Sequence, residues 1–365
     1  MRIAQVVTYI SDDGAFGGPV AVALAQSVEL ARRGHSVHLY AAWDGTAQVS
    51  APGVTLHLFR VPPPRLGLAS TFSLRLVIAL RRSREQFDAV HLHFGRDLVS
   101  LAAWASVQGA RQIIVQPHGM VMPDRRIRTL VVDRLVVRRA LRGATALLAL
   151  TTAEEEGLRK VAAGTVPIEH IDNGLWVPDD VVVERAQPAE VLFLARLHPR
   201  KQVMIFAQSA YKLISEGIDA TFRVVGPDEG DLAALRSFIQ THHLETQLRY
   251  DGALGPGQGV RALRDASVFV LPSVGEVYPM SVLEALSVGT PVILSTDCGL
   301  SDLLRKHSAA VIVKPSTNAV TSAIRDLLLN ESTRLSIARS GHATARQLFS
   351  IETVGRALVA IYSRS

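Results

Sequence analysis

Short apolar runs alternate with helix-like segments along this chain, and the alternation is interrupted once. The first series covers positions 3–171 and the second begins at position 191. Between them, the segment 176–190 carries two prolines and scattered charge, as is typical of a linker. Two strand and helix series predict two parallel-sheet domains of the α/β class, because parallel strands need helical crossovers. The length of 365 residues suits two such domains.

Periodicity places the individual elements. Strands are predicted at 3–9, 36–40, 54–60, 89–93, 112–116, 146–150, 169–171, 191–194, 221–225, 248–250, 270–272 and 291–294. Helices are predicted at 20–33, 75–84, 98–106, 125–142, 154–161, 204–215, 232–242 and 260–265. Ligands of open α/β sheets bind where strand ends and helix N-termini meet, so functional residues are expected in the loops after the strands.

Composition narrows the class of protein. A hydrophobic share of 48% with 20% charged residues predicts a soluble globular chain. No apolar run is long enough to span a bilayer and no signal-peptide pattern follows Met1, so a cytoplasmic location is expected. The single cysteine, Cys298, excludes an internal disulfide and any multi-cysteine metal site.

The positive charge is one-sided. Positions 1–178 hold 20 Lys and Arg against 14 Asp and Glu, whereas 179–365 hold 19 of each. This excess predicts attraction to an anionic partner, such as nucleic acid, a membrane surface or a phosphorylated substrate. Arg134, Arg138 and Arg142 repeat at helical spacing, with Leu130, Val137 and Leu141 available for packing. That basic face is either solvated or a surface for anionic lipid or an acceptor phosphate at the inner side of the cell membrane.

Two glutamates frame the most informative stretch of the second series. Glu276 lies in the loop after a strand, and Glu284 lies about two turns on in the following helix. Carboxylates at such a sheet edge are suited to accept hydrogen bonds from ribose or sugar hydroxyls. The spacing alone also fits two solvated helix charges, so it needs support from other motifs.

Three further loops carry candidate binding residues. Arg196 ends a strand and Lys201 precedes a helix, an arrangement that suits a diphosphate leaving group or an ordinary charged surface loop. Gly17 and Gly18 precede a helix and permit either close approach of a phosphate or a tight turn. His118 with Gly119 ends a third strand.

Together with Asp172-Asn173-Gly174 and Gly289-Thr290-Pro291-Val292, these motifs resemble the retaining GT-B glycosyltransferases of family 4 over nearly the whole chain. The resemblance implies two Rossmann-like domains facing across a cleft. Residues 1–178 would form the acceptor domain and 179–345 the nucleotide-sugar domain. Residues 346–365 would form a C-terminal helix that crosses back to the first domain.

The resemblance also implies roles for individual residues. Glu276 would contact the donor sugar, Glu284 the nucleotide ribose, and His118 the region of the reacting sugar. Arg196 and Lys201 would neutralise the donor diphosphate. The loop facing that diphosphate and the segment after Glu276 would supply backbone contacts; they comprise Gly17, Gly18, Val277, Tyr278, Pro279, Met280 and Ser281. Gln202 and Val277-Tyr278-Pro279 depart from the commoner pattern, which leaves the sugar specificity open.

The implied reaction needs neither a cofactor nor a metal, and front-face attack needs no protein nucleophile. His91 and His93 share a strand face, but two ligands are too few for a metal site. The acceptor is a sugar, a lipid-linked precursor of envelope polysaccharide or glycolipid, or a small molecule. Two alternatives stay open: a nucleotide-sugar epimerase of similar shape and a basic nucleic-acid-binding protein. The latter is disfavoured by an aromatic content of only 5%.

Overall fold

The computed structural model describes residues 1–11, 17–62, 68–179, 181, 188–255 and 257–364. The chain divides into two compact units. Unit 1 comprises Met1–Leu175 with Ser350–Ser365, and unit 2 comprises Trp176–Phe349. The divisions predicted after positions 178 and 345 are close to these two points.

Unit 1 contains a parallel sheet of seven strands in the order β3-β2-β1-β4-β5-β6-β7. The strands are β1 Arg2–Ile10, β2 Ser36–Trp43, β3 Val54–Arg60, β4 Ala89–His93, β5 Ile113–Gln116, β6 Ala146–Ala149 and β7 Ile168–His170. The helices are α1 Gly17–Arg32, α2 Leu74–Ser83, α3 Leu98–Ser106, α4 Ile127–Val132, α5 Arg138–Arg142 and α6 Thr152–Ala162. Strands β4, β5 and β6 are buried along their whole length, as expected for a sheet covered on both faces.

Unit 2 contains a parallel sheet of six strands in the order β10-β9-β8-β11-β12-β13. The strands are β8 Ala189–Leu194, β9 Ala220–Val225, β10 Leu248–Tyr250, β11 Val268–Leu271, β12 Val292–Ser295 and β13 Val311–Val313. The helices are α7 Val203–Ser215, α8 Leu232–Thr241, α9 Gln258–Asp265, α10 Met280–Ser287, α11 Ser301–Lys306, α12 Thr317–Leu329 and α13 Glu331–Thr344. The elements of unit 2 after β12 had not been predicted individually.

The last helix, α14 Ile351–Tyr362, belongs to unit 1. Its side chains Val354, Leu358 and Ile361 lie in one buried cluster with Ile3 of β1 and Leu30 of α1. This confirms the predicted return of the C-terminal helix to the N-terminal domain. Burial of its apolar stripe stabilises the return, since each buried aliphatic side chain contributes about 1.5–3 kcal/mol.

Polar side chains fix several helix starts. The N-cap side chains of α2, α3, α6, α12 and α14 each accept from the backbone N–H three residues on; they are Ser73, Asp97, Thr151, Ser316 and Ser350. Each such cap stabilises its helix by about 1 kcal/mol. Helix α1 instead begins at Gly17, three residues earlier than predicted, because Pro19 is tolerated in a first turn.

No helix in the described ranges is long and apolar enough to cross a membrane.

Candidate functional site

The chain order of unit 2 reverses between β8 and β11, which are neighbours in the sheet. The helices that follow these two strands therefore leave in opposite directions, and the loops at the strand ends open a crevice. The loop after β8 carries Arg196 and Lys201, and the loop after β11 carries Glu276. Topology alone thus brings together residues that are 75 positions apart in sequence.

A cavity of about 200 Å³ lies at this point of unit 2. It is lined by Arg196, His198, Arg200, Lys201, Glu229 and Glu276. Three of these six are predicted site residues. His198, Arg200 and Glu229 were not predicted as site residues, although they too lie in the loops that follow β8 and β9. The cavity combines three guanidinium or ammonium groups with two carboxylates, a composition suited to a ligand with phosphates and hydroxyls.

Ion pairs hold the cavity charges. Lys201 Nζ contacts Glu276 Oε2, and both side chains are largely buried, at 15% and 16% exposure. Arg196 Nη1 lies 2.7 Å from Glu229 Oε1 in a more exposed pair. Each pair keeps a cation next to the cavity and partly neutralised. A diphosphate that enters the cavity can therefore replace a carboxylate as the partner of a cation that is already in place.

The backbone before α7 explains one departure from the commoner family pattern. Gln202 adopts the left-handed conformation, with φ 58° and ψ 42°, a region that glycine occupies without strain. Its own Nε2 donates to the carbonyl of Pro199 at 2.7 Å and so supports the strained turn. The turn Pro199–Lys201 is thus completed with glutamine, and Lys201 is delivered to the cavity directly before α7.

The loop that carries Glu276 is fixed from two sides. The Gly299 N–H donates to the Glu276 carbonyl at 2.8 Å, and Val274 N–H donates to the Arg200 carbonyl at 2.8 Å. Arg200 Nη2 also donates to the carbonyl of Gly275. Cys298 pairs with Glu276 as an isolated bridge, and burial raises the pKa of its thiol to about 11, so it stays protonated.

Glu284 lies in α10 and does not line the cavity described above. It is half-buried, and no described residue donates to its carboxylate. Burial raises its pKa to about 7. A desolvated acceptor without a donor is costly for the folded protein and is well suited to hydroxyls from a ligand.

The segment between the two glutamates forms the entry to α10. Tyr278 and Pro279 are buried, with Pro279 at the N-cap position, whereas Val277 is half-buried. Met280 and Ser281 form the first turn of the helix. Their predicted roles in binding the sugar or phosphate stay predictions.

In unit 1, His118 follows β5 in a strained turn. His118 has φ 53° and Gly119 has φ 77°. The buried Glu154 carboxylate ties this turn to the end of β6, since Oε1 accepts from Gly119 N–H and Oε2 accepts from Leu150 N–H at 2.9 Å. A non-glycine residue held at positive φ is often part of a functional site. Glu154 had been predicted only as a helix residue.

Both ring nitrogens of His118 have partners. Nδ1 lies 3.0 Å from Asn173 Oδ1, and Nε2 lies 2.7 Å from His93 Nδ1. The motif that contains Asn173 had been recognised, but its contact with His118 had not. Burial lowers the pKa of His118 to about 4, so the ring is neutral at physiological pH. As it stands, the ring has no free nitrogen with which to act as a base.

Gly17 and Gly18 form the first turn of α1. A Cβ added to Gly18 would meet no atom within 4 Å, so open space adjoins this helix start. The preceding residues 12–16 of the glycine-containing loop lie outside the described residues. The predicted role of this loop at the diphosphate stays a prediction.

The three arginines of the predicted basic face, Arg134, Arg138 and Arg142, have different surroundings in the structure. A π-helical segment, Asp133–Val137, lies between α4 and α5 and shifts the helical phase. Arg138 is half-buried, and Arg142 Nε donates to the Ala162 carbonyl at 2.8 Å, which caps α6. Only Arg134 of the three is an exposed cation without a described partner.

Apolar residues instead dominate the outer side of this helix. Ile127, Leu130, Val131 and Leu135 are exposed by 79%, 49%, 50% and 57%. Leu130 had been predicted to pack inward. Exposed arginines flank them, namely Arg125, Arg126, Arg128, Arg134 and Arg139. We call these nine residues the apolar-basic face.

No group of three or more His, Cys, Asp or Glu side chains suited to a metal ion is present in the part of the chain that the structure describes. His91 and His93 do share a face, with ring centroids 4.6 Å apart, but both are buried in hydrogen-bonded contacts of unit 1.

Comparison with known proteins identifies relatives for both halves. Residues 179–344 match the family described as Glycosyl transferases group 1, and residues 17–174 match the Glycosyl transferase 4-like domain. The putative colanic acid biosynthesis glycosyltransferase WcaL of Escherichia coli (strain K12) is 30% identical over 147 residues, which cover 38% of this chain and 36% of WcaL. The match thus spans little more than a third of that relative's length.

A second relative matches over a longer stretch at a lower sequence identity. The UDP-Gal:alpha-D-GlcNAc-diphosphoundecaprenol alpha-1,3-galactosyltransferase of Escherichia coli is 24% identical over 301 residues, covering 76% of this chain and 77% of the relative. Among solved structures, Anabaena Alr3699/HepE in complex with UDP superposes with a TM-score of 0.77 at 18% identity, covering all of both chains. This likeness confirms the predicted fold class, two Rossmann-like parallel-sheet domains of the GT-B type.

Proposed function

Because the chain belongs to the group 1 glycosyl transferases, we propose that it transfers a sugar from a nucleoside-diphosphate donor to an acceptor with retention of configuration. The observation that carries the proposal is the cavity at the switch point of unit 2, where Lys201 and Glu276 form a largely buried pair beside Arg196. A diphosphate needs cations that are already in place when it leaves, and a sugar needs carboxylates that accept from its hydroxyls.

Donor binding is an exchange of partners in this proposal. The β-phosphate takes over Lys201 and Arg196 from Glu276 and Glu229, and Glu276 turns to the hydroxyls of the donor sugar. Arg200, in the same cavity, adds a third cation. These side chains stabilise the negative charge that develops as the glycosidic bond breaks, so no metal is required in this scheme.

Glu284 binds the ribose in the proposal. Its carboxylate is desolvated and accepts from no described residue, so vicinal ribose hydroxyls would satisfy it. Attack on the same face from which the diphosphate leaves needs no protein nucleophile, since the leaving phosphate takes the acceptor proton. The protonated Cys298 next to Glu276 agrees with a site that uses none.

Calorimetry and a donor panel test this function. We expect UDP or GDP to bind with micromolar affinity, and we expect slow hydrolysis of at least one sugar nucleotide without acceptor. The anomeric configuration of the released sugar, followed by NMR, reports retention. Tight salt-dependent binding of a DNA or RNA oligomer, with no nucleotide binding, would instead favour the nucleic-acid alternative.

We also propose that the acceptor is lipid-linked and that the apolar-basic face of unit 1 lies on an anionic membrane surface. The name of the galactosyltransferase relative specifies a diphosphoundecaprenol-linked acceptor. Ile127, Val131 and Leu135 recur every four residues and are all exposed, and arginines flank them. Apolar side chains between cations are the pattern of helices that lie in the membrane interface.

Liposome co-sedimentation measures this contact. Replacing Ile127 and Leu135 together by glutamate is expected to lower binding to anionic vesicles at least about 10-fold, because the two apolar side chains leave the interface and negative charge enters it. Leu329→Glu is the matched control, since Leu329 is an apolar residue of unit 2 with 69% exposure. Equal sedimentation of all three proteins would remove the membrane proposal while leaving the sugar transfer untouched.

A further inference from the structure

A row of polar side chains crosses the otherwise apolar interior of unit 1. Gln5 of β1, His91 and His93 of β4, and Gln116 of β5 are each buried to 2% exposure or less. They lie beyond Ile3, Ala89 and Ile114, which pack against α1 and α14 on the same face of the sheet. Buried polar groups of this kind destabilise a fold unless all are hydrogen-bonded, so the arrangement of their protons is constrained.

The orientation of the amides is set at one end by a backbone carbonyl. Gln26 of α1 lies 3.2 Å from the Asn173 carbonyl, which can only accept, so the Gln26 atom there is Nε2. The same Nε2 lies 3.5 Å from Gln116 Oε1. Gln116 therefore presents its Nε2 to the Asn173 side chain at 3.3 Å, and the atom it meets is Oδ1.

This orientation fixes the proton on His118. Its Nδ1 lies 3.0 Å from Asn173 Oδ1, an acceptor, and must therefore carry a proton. In a neutral ring Nε2 is then bare and accepts from His93 Nδ1 at 2.7 Å. The two rings are stacked with an interplanar angle of 9°. His93 thus supplies the only donor to His118 Nε2 among the residues that the structure describes.

The same reasoning continues to the C-terminal helix. In the structure Gln5 Oε1 lies 2.7 Å from His93 Nε2, so a His93 ring with its proton on Nδ1 requires the Gln5 amide to be turned by 180°, which presents Nε2 as the donor. The turned amide places Gln5 Oε1 where Nε2 lies in the structure, 3.4 Å from the Tyr362 hydroxyl of α14, and Oε1 then accepts from that hydroxyl. The Tyr362 oxygen in turn accepts from His91 Nδ1 at 2.6 Å. The ring N–H of each of the three neutral imidazoles and the Tyr362 hydroxyl then has an acceptor. His91 Nε2 is left as a bare nitrogen without a described partner.

The ionisable groups around His118 agree with a neutral ring. They are His93 and His91 from β4, Tyr362 from α14 and Glu154 from α6, whose carboxylate holds the neighbouring Gly119. Burial lowers the pKa values of all three histidines, to about 4 for His118 and about 3 for His91. A proton added to His118 would leave His93 or Gln5 with two donors or two acceptors face to face.

We propose that His93, held by Gln5 and Tyr362, is a positioning residue that locks His118 as a neutral imidazole protonated at Nδ1. The inference rests on the proposed function only where it concerns catalysis. In that role His118 is a fixed neutral ring that neither accepts nor releases a proton during turnover. The C-terminal helix is then part of the support of His118, through a contact between residues 357 positions apart in the sequence.

Nitrogen NMR of the full chain tests the proton arrangement without any substrate. The long-range ¹⁵N–¹H pattern of His118 is expected to show Nδ1 protonated and Nε2 bare, with no change between pH 5.5 and 8. His93→Leu removes the donor to Nε2, and His118 is then expected to shift to the Nε2–H form or to titrate near its ordinary pKa of about 6.5. His93→Gln, which retains an amide donor, is expected to restore the wild-type pattern.

A matched control lies in the same unit. His38 Nδ1 and His57 Nε2 lie 3.0 Å apart in another stacked histidine pair, on β2 and β3. His57→Leu breaks that pair and is expected to leave the His118 pattern unchanged. If His93→Leu does not fold, Tyr362→Phe serves instead, because it removes one hydroxyl from the chain and is expected to give a mixture of His118 tautomers.

Kinetics separate the positioning role from a structural one. His93→Leu is expected to lower kcat about 10-fold with little change in KM and to add an acidic limb to the pH profile. His93→Gln should recover most of the loss. An Nε2–H or doubly protonated His118 in the wild type overturns the proton arrangement. Wild-type kcat in His93→Leu overturns the positioning role. Absence of sugar transfer in the wild type, with the expected NMR pattern, contradicts the proposed function instead.

Discussion

Replacing Lys201 by methionine is expected to lower kcat/KM for sugar transfer about 100- to 1,000-fold, the range found when a preorganised group that stabilises transition-state charge is removed. Lys201 is only 15% exposed and reaches the cavity beside Arg196. Methionine keeps the length of the side chain and removes its charge, so the loss reports the charge. The measurement is initial rate against donor concentration with the donor that the panel identifies.

Glu276→Gln and Lys201→Met are expected to have different effects on the affinity for free nucleoside diphosphate. Removing the carboxylate frees Lys201 for phosphate, so the affinity for free nucleoside diphosphate is expected to rise or stay constant while kcat falls. Lys201→Met is expected to weaken that affinity. If both substitutions weaken nucleotide binding equally, the exchange of partners proposed for this pair is wrong.

Arg223 provides the control for ordinary loss of a half-buried cation. It is 19% exposed and lies 2.6 Å from Asp251, in the same unit and outside the cavity. Arg223→Met is expected to cost stability of the same order as Lys201→Met but to change kcat/KM less than about 3-fold. A comparable loss of activity in both variants would assign the Lys201 effect to folding.

The sequence was sufficient for much of the fold because both sheets are parallel. Buried parallel strands are largely apolar runs, so β4 and β5 were predicted to within one residue of their observed bounds. Strand-end loops could likewise be located from periodicity, which is why Arg196, Lys201 and Glu276 were predicted as site residues and line one cavity. Their pairing follows from the sheet order, which periodicity alone does not specify.

Other features depend on contacts that no local pattern contains. The π-helical segment at Asp133–Val137 interrupts the predicted helix, Arg138 is half-buried, and Arg142 donates to the Ala162 carbonyl. The support of His118 by Tyr362 and Glu154 joins residues from the start, middle and end of the chain. Gln202 is intermediate: its departure from glycine was visible in the sequence, but the left-handed backbone that explains it was not.

Glu284→Gln is expected to stabilise the folded protein at pH 8 and to abolish much of its nucleotide affinity. Burial raises the pKa of Glu284 from an ordinary value of 4.5 to about 7. A carboxyl whose pKa is raised on folding disfavours the folded state when it is ionised. That cost is absent below pH 4.5, grows as the pH rises, and is complete above about pH 7.

The size of the effect follows from the shift. Glutamine carries no charge, so the variant avoids a cost of about 1–3.5 kcal/mol at pH 8, where the upper limit corresponds to the full shift at about 1.4 kcal/mol per pH unit. Thermal unfolding of both proteins at pH 5.5 and pH 8 measures it. We expect the variant to gain more at pH 8. The same difference in melting temperature between variant and wild type at pH 5.5 and at pH 8 would show that Glu284 does not ionise between these pH values.

The same substitution is expected to weaken UDP or GDP binding about 10- to 100-fold, the effect of losing hydrogen bonds to a charged acceptor. In the wild type, affinity should rise with pH through about 7 as Glu284 ionises, and in the variant it should be flat. Calorimetry at both pH values tests this. A variant that is more stable yet binds nucleotide as well as the wild type would exclude Glu284 from the donor site.

Glu154→Gln is expected to change the stability of the folded protein in the opposite direction to Glu284→Gln. Burial also raises the pKa of Glu154, but both of its carboxylate oxygens accept backbone N–H groups, from Gly119 and Leu150. An amide can accept at only one of these positions and places a donor against the other N–H. The substitution is therefore expected to destabilise unit 1 by about 1–3 kcal/mol. Two glutamates with raised pKa values thus respond oppositely to the same change, because Glu154 has its hydrogen bonds within the protein and Glu284 accepts from no described residue until a ligand supplies a donor.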